Sequence, residues 1–351
     1  MTQVRFARDK LHRSLEAMLN EYEAMLVILA MMNADAKSHL KSYRESIESL
    51  TKRELHQALA DTKVRIQDIR SKSGATLPNG EYALLLAANP AGPGNVLELP
   101  AYLAVRLFNR YPRVASALAN RELPLHALIE LDVHGRYERL NRLQYFILEA
   151  TLFEDMCAFW NEACTIEGPK VNPHAAKATL KKRSALHRAT VSAAFYMVEA
   201  YCNGLAFEAR LTRGDQLSER ELELITEWDQ ERERSKFTSI RDKLLHYPRI
   251  LMGAAAPLLQ ENNCPELNYF LTAAKEFRDA IVHPSPRFDA DSLVSKKVRA
   301  YMRLGPGECA EIIDAAIAVI YRIGAVTERT KCLFWLQRRT TDGRFADSVF
   351  E

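Results

Sequence analysis

Residues 268–286 read Asn-Tyr-Phe-Leu-Thr-Ala-Ala-Lys-Glu-Phe-Arg-Asp-Ala-Ile-Val-His-Pro-Ser-Pro. Phe270, Leu271, Ala274, Phe277 and Ile281 recur at helical spacing, so the stretch predicts an apolar helix that Pro284 stops. Near its end the helix presents Arg278 and Asp279, then His283. A guanidinium keeps its charge at any physiological pH, and an imidazole titrates near neutrality. Together at a helix end they could clamp a phosphate and move a proton. The plain structural reading is that Arg278, Asp279 and His283 cap the helix, where a cation meets the negative end of the dipole.

Working outward, the pattern stays helical. Leu11, Leu15, Met18, Tyr22, Met25, Leu29 and Met32 alternate steps of four and three, which is a heptad seam. Leu40, Tyr43, Ile47 and Leu50 form a second seam, followed by Leu55, Leu59, Ile66 and Ile69. No Gly or Pro interrupts before Gly74. The expectation over 1–73 is a coiled-coil-like arm: one very long helix, or a hairpin turning near Asn33-Ala34-Asp35. Its seam buries within the chain or in a dimer. Residues 73–100 hold the densest Pro/Gly stretch, so 74–135 reads as a linker with short helices broken at Pro112 and Pro124. A phosphate-binding loop is disfavoured there, because no Gly-Lys-Ser/Thr follows. Longer helices are expected at 136–167, 175–210, 237–252, 265–283 and 307–335, within a bundle spanning 136–340. The acidic stretch 214–235 reads as a solvated helix or lid. Strand alternation is not convincing anywhere, so the predicted class is all-α.

Composition narrows the functions. An apolar fraction of 48% with 26% charged residues describes an ordinary globular chain, and a net charge of +3 is too mild to argue for nucleic acid without local patches. The six cysteines form no Cys-x-x-Cys pair and no zinc-spaced Cys/His cluster, which predicts reduced thiols, no metal and no cofactor. The longest apolar run, Ala24–Met32, is far short of the ~20 residues that span a bilayer. With no signal-peptide pattern, the expected location is the cytoplasm, away from membranes. Glu149, Glu154, Asp155 and Glu162 lack the Glu-x-x-His companions of a di-metal bundle. Basic clusters occur at Lys177, Lys181, Lys182, Arg183, His187 and Arg188, at Lys296, Lys297, Arg299 and Arg303, and at Arg338 and Arg339. Each reads as a solvated face or as a track for phosphates.

The spacing Arg, four residues, His occurs three times: Arg121–His126, Arg241–His246 and Arg278–His283. Chance supplies about one such spacing in a chain of this composition, so context must separate them. Pro124 breaks the first. The second lies on a charged amphipathic helix. The third closes a more apolar helix than the second.

Here the chain resembles the HEPN superfamily of helical bundles. The resembling residues are the long helix containing Ser-Ala-Ala-Phe-Tyr-Met-Val-Glu-Ala-Tyr-Cys-Asn (192–203), the charged helix ending Tyr-Pro-Arg-Ile-Leu (247–251), Phe-Arg-Asp-Ala-Ile-Val-His-Pro (277–284) and a final apolar helix (309–326). The resemblance covers roughly 140–335 and is specific only at 277–284. It implies a metal-independent endoribonuclease, with Arg278 and His283 catalytic and Asp279 in a position where many members carry Asn. It further implies 2′,3′-cyclic phosphate products and a homodimer with a composite site. The implied setting is a toxin or antiphage effector that a regulatory or antitoxin partner restrains through the arm. The alternative within the family is a non-catalytic interaction or nucleotide-binding protein in a larger complex. The residues agree with the first reading: His283 is suited to proton transfer with the 2′-hydroxyl or the leaving 5′-oxygen, and Arg278 to holding phosphate oxygens. Asp279 is expected to orient His283, and Lys275 and Arg287 to touch RNA. On a straight helix Arg278 and His283 lie about 140° apart, so either His283 swings out ahead of Pro284 or the pair meets across a two-fold axis.

Overall fold

In a computed structural model the chain is described over residues 2–28, 34–73, 96–102, 123–132, 144–166, 173–229, 232–283 and 295–346. The fold is all-α, with two small sheets. It divides into two compact units. The first comprises Met1–Asn120 and Leu128–Tyr145, the second Arg121–Ala127 and Phe146–Glu351.

The first unit holds α1 (Thr2–Ile28), α2 (Ala34–Ser46) and α3 (Lys52–Ser73). Of the expected seams, Leu15, Tyr22 and Met25 of α1, Leu40 of α2 and Leu55, Ile66 and Ile69 of α3 are buried, together with Leu19 and Ala58, which the seams did not include, whereas Leu11, Met18, Tyr43, Ile47, Leu50 and Leu59 are half-buried, and α1 packs on α3. The arm is therefore neither one helix nor a two-helix hairpin, because a second break separates α2 from α3. Thr51 makes it. Its N–H donates to Glu54 Oε2 (2.7 Å) and its Oγ1 accepts from Glu54 N–H (3.4 Å), a capping box that starts a new helix. Polar contacts set how the helices align. Arg65 pairs with Asp35 (2.8 Å) and the Tyr43 hydroxyl donates to Asp61 (3.1 Å), so α2 runs antiparallel to α3. Arg70 pairs with Glu21 and Arg44 with Glu23. The expected turn at Asn33 falls outside the described residues.

Strands β1 (Val96–Pro100) and β2 (Leu128–Asp132) pair antiparallel, Val96 opposite Asp132, and β3 (Gln144–Phe146) lies third in the sheet. The linker reading did not foresee this sheet. The short helices expected at 100–125 lie almost wholly outside the described residues. The helix expected from 136 begins only at Leu148, after β3.

The second unit is built around one long helix. It contains α4 (Leu148–Thr165), α5 (Pro173–Arg213), α6 (Glu219–Thr226), α7 (Ile240–Met252), α8 (Pro265–Tyr269), a π-helical turn (Phe270–Ala274), α9 (Lys275–Val282), α10 (Lys296–Arg303) and α11 (Pro306–Val326). α5 packs against α4, α6, α7, α9 and α11. Its Val191, Ala194, Phe195, Val198, Cys202, Leu205 and Ala209 are buried, and Phe195 stacks on Phe270 of the π turn with ring centres 4.3 Å apart. The stretch 214–235 resolves into a 3-10 turn, α6 with a Ser218–Glu221 capping box, and a short hairpin, β4 (Trp228–Asp229) with β5 (Arg234–Ser235). α10 was not expected. The last helix stops at Val326, where Glu328 turns left-handed (φ 58°) and a 3-10 turn (Thr330–Leu333) follows. Beyond it Trp335 is buried, and Asn161 holds Phe345 by accepting from its N–H (2.9 Å) and donating to its carbonyl (3.0 Å).

Cys202, Cys264 and Cys309 are buried and Cys164 is exposed; all six thiols are free. No described helix is long and apolar enough to cross a membrane.

Lys243 is buried within this bundle (2% exposed), with Nζ 2.8 Å from Glu199 Oε1, 2.7 Å from Glu227 Oε1 and 3.1 Å from Asn203 Oδ1. Burial disfavours the ammonium, but the two carboxylates outweigh it and raise the Lys243 pKa. Lys243→Met strips both carboxylates of their cation, so stability should fall by about 1–3 kcal/mol. Adding Glu199→Gln and Glu227→Gln should recover part of that loss, read as a partial return of the midpoint in thermal unfolding.

Candidate functional site

Two successive helical segments and the π turn between them carry the Arg278 motif. Pro265 sits at the first helical position of α8, where its missing N–H costs nothing. The π turn Phe270–Ala274 takes one extra residue per turn and resets the phase of the helix before α9. Phe270, Leu271, Ala274, Phe277 and Ala280 are buried and fix this helix to the bundle. The other face carries Lys275, Arg278 and Asp279, with side chains 41%, 23% and 25% exposed.

Asp279 holds the two cations. Lys275 Nζ donates to Oδ2 (2.6 Å) and Arg278 Nη1 to Oδ1 (2.9 Å). Burial alone would raise the Asp279 pKa, but the bonds from Lys275 and Arg278 outweigh it and lower it. The carboxylate thus faces the two cations, and among the described residues it makes no bond to the His283 imidazole. Both of its oxygens are turned to the cations. His283 caps the C-terminus of α9 instead. Its N–H donates to the Asp279 carbonyl (3.0 Å), and its backbone leaves the helical region (φ −125°, ψ 62°) as a residue before proline does. Its imidazole is exposed and has no side-chain partner among the described residues. Arg287 lies outside the described residues.

The other two copies of the motif are occupied in other ways. Arg241 pairs with Glu261. His246 is half-buried, and burial together with Arg249 lowers its pKa. His126 is the more informative. Its side chain is 16% exposed, and Nε2 lies 2.8 Å from Oε1 of Glu149, which is 2% exposed. The imidazole lies so close to Gly204 of α5 that a Cβ there would come within 2.3 Å of the ring, so this glycine is required by close approach. Glu208, also buried, accepts from Leu125 N–H (3.0 Å) and Arg329 Nε (2.9 Å). Sequence reasoning passed over this cluster. Its signal was a charge on an apolar stripe: Glu149 precedes Phe153, Met156 and Trp160 at steps of four and three, and Glu208 follows Tyr201 and Leu205. Among the described residues, no three His, Cys, Asp or Glu side chains cluster as metal ligands would.

Comparison of the chain with protein-family models, curated proteins and solved structures finds no match in any of the three. The HEPN resemblance therefore rests on the residues quoted for it.

Two titrations check this geometry. Burial disfavours the His126 imidazolium, yet Glu149 outweighs it, so the folded pKa is raised. Its contribution to stability is then full below the unfolded value of about 6.5 and is lost as pH rises through the folded value. The stability difference between the parent and His126→Gln should shrink over that window in denaturant titrations at a series of pH values. For Asp279, the carboxyl carbon followed by NMR should titrate below the ordinary value of about 3.9 and move up in Lys275→Met. An unmoved midpoint would break the ion-pair assignment.

Proposed function

We propose that the Lys275–Arg278–His283 corner cleaves RNA by metal-independent transesterification. The observation that carries this reading is selective exposure: of the three Arg-x4-His copies, only Arg278–His283 has an imidazole open to solvent, at the end of the helix that carries the Lys275 and Arg278 cations. In the reaction the ribose 2′-oxygen forms a bond to the adjacent phosphorus and the bond to the 5′-oxygen breaks. The products are a 2′,3′-cyclic phosphate and a free 5′-hydroxyl. His283 takes the 2′-hydroxyl proton or protonates the departing 5′-oxygen. Arg278 and Lys275 offset charge on the phosphoryl oxygens in the transition state. Asp279 pre-positions both cations and leaves the trio with a net charge of one positive unit.

One imidazole fills one of the two proton-transfer roles. A second copy of the chain, placing its own His283 across a two-fold axis, would fill the other, which is the reason to propose a homodimer. An effector role in toxin–antitoxin or antiphage defence, restrained by a partner on residues 1–73, follows from the resemblance alone. A second reading, an interaction module without catalysis, draws on the same ion pairs: Asp279 already satisfies part of the charge that a phosphate would meet.

Purified protein incubated with mixed RNA and EDTA should yield 2′,3′-cyclic phosphate ends. His283→Ala should lower the rate by about 10²-fold or more, and Arg278→Ala by about 10²–10³-fold. Cleavage at the parent rate in both variants would eliminate this site. No cleavage by the parent, with RNA still bound, would favour the interaction module.

A further inference from the structure

The basic clusters of α5 and α10, far apart in sequence, are brought together in the fold. On α5, Lys177, Lys181 and Arg188 are spaced four and seven apart, so they share one stripe of the helix. No acidic residue occurs between Pro173 and Val198. On α10, Lys296, Arg299 and Arg303 are spaced three and four apart and are exposed, while Ala300 and Leu304 are buried. α10 contains no acidic residue either. The guanidinium carbon of Arg188 lies 4.7 Å above the centre of the Tyr301 ring, a contact between the two helices, and Lys297, four residues before Tyr301, shares its flank of α10. α10 in turn packs on α9, the helix that carries Lys275, Arg278 and Asp279.

The charge on this surface is not internally balanced. Lys182 pairs with Glu162 (2.7 Å). Lys177, Lys181, Arg183, Lys297 and Arg303 meet no carboxylate among the described residues. Elsewhere in the bundle Arg241, Arg249, Arg322, Arg329 and Arg339 each meet a carboxylate. His187, on the inner side of α5, reports the same local field. Burial, then Arg183 and Arg188, lower its pKa.

We propose that the basic stripe of α5 and the basic residues of α10 form a phosphate-backbone track that carries single-stranded RNA to the Arg278–His283 corner. Charge complementarity favours a polyanion. The exposed large apolar side chains of these stretches are Leu180, Tyr196 and Met302, isolated groups that do not make the continuous apolar face a membrane-surface helix needs. The neighbouring corner favours RNA over other polyanions, and to that extent the track rests on the function proposed for that corner. Contacts of this kind read phosphates without reading bases, so the track is expected to be sequence-tolerant.

The test uses the full-length chain carrying His283→Ala, to prevent cleavage, and fluorescence anisotropy of a labelled unstructured RNA. Charge reversal at Lys181→Glu, Lys297→Glu and Arg303→Glu should weaken binding by about 100-fold or more. It should also flatten the dependence of log affinity on log salt by about two units, near 0.7 for each cation lost. The neutral set Lys181→Gln, Lys297→Gln and Arg303→Gln should show a smaller loss in the same direction, and it serves as the readout if the reversed set fails to fold. Unchanged RNA affinity in a folded variant overturns the track. So does binding of the parent to phosphatidylserine vesicles, lost in the variant, without binding to RNA. RNA binding that follows these substitutions in a parent protein that never cleaves RNA supports the track and removes the nuclease reading instead.

Discussion

The burial of α5 constrains the whole second unit. A helix of 41 residues cannot satisfy its apolar side chains against a single neighbour, and α4, α6, α7, α9 and α11 each take part of its circumference. At about 25 cal/mol per Å² of apolar surface removed from water, burial against five neighbours makes this helix a large contributor to the favourable energy of its bundle. Everything of chemical interest hangs from that axis. The π turn docks through Phe270 on Phe195, α9 follows with its cations, and α10 meets α5 through Arg188 on Tyr301. The candidate site is on the surface, but its position is inherited from the core.

Charges inside the bundle follow one rule, that an ion leaves water only with company. Lys243 has two carboxylates and an amide oxygen. Glu208 has Arg329 and a backbone N–H, and Glu149 has His126. These groups join elements remote in sequence, so a gain in specificity accompanies whatever they add to stability.

The helical class and the α1 seam were legible because periodicity is a local property that tertiary packing reinforced. What was missed has physical reasons. The Thr51–Glu54 capping box was present as a Thr-x-x-Glu pattern, but a continuing apolar seam hid it. β1 and β2 pair across some 30 intervening residues, and five-residue strands carry too little alternation to show without their partner. The π turn changes the helical phase without changing composition. At the site, the residue types were readable and their pairing was not. Asp279 shares a helical stripe with Lys275 as well as with His283, and only the departure of His283 from the helix decided which it would bind. Likewise, spacing alone could not tell an exposed imidazole at 283 from a largely covered one paired with Glu149 at 126.

The path of the chain between the two units limits how either can be separated. It passes from the first to the second near residue 120, returns near 128 and crosses again near 145. A fragment ending after β3 would carry away His126 and Leu125, leaving Glu149 and Glu208 desolvated with partners missing. A fragment beginning at α4 would start life with the same wound. Three covalent crossings also mean that no single proteolytic nick frees an intact unit, and that exchange of either unit between relatives during evolution would require the Arg121–Ala127 insert to travel with the bundle rather than with the segments that flank it.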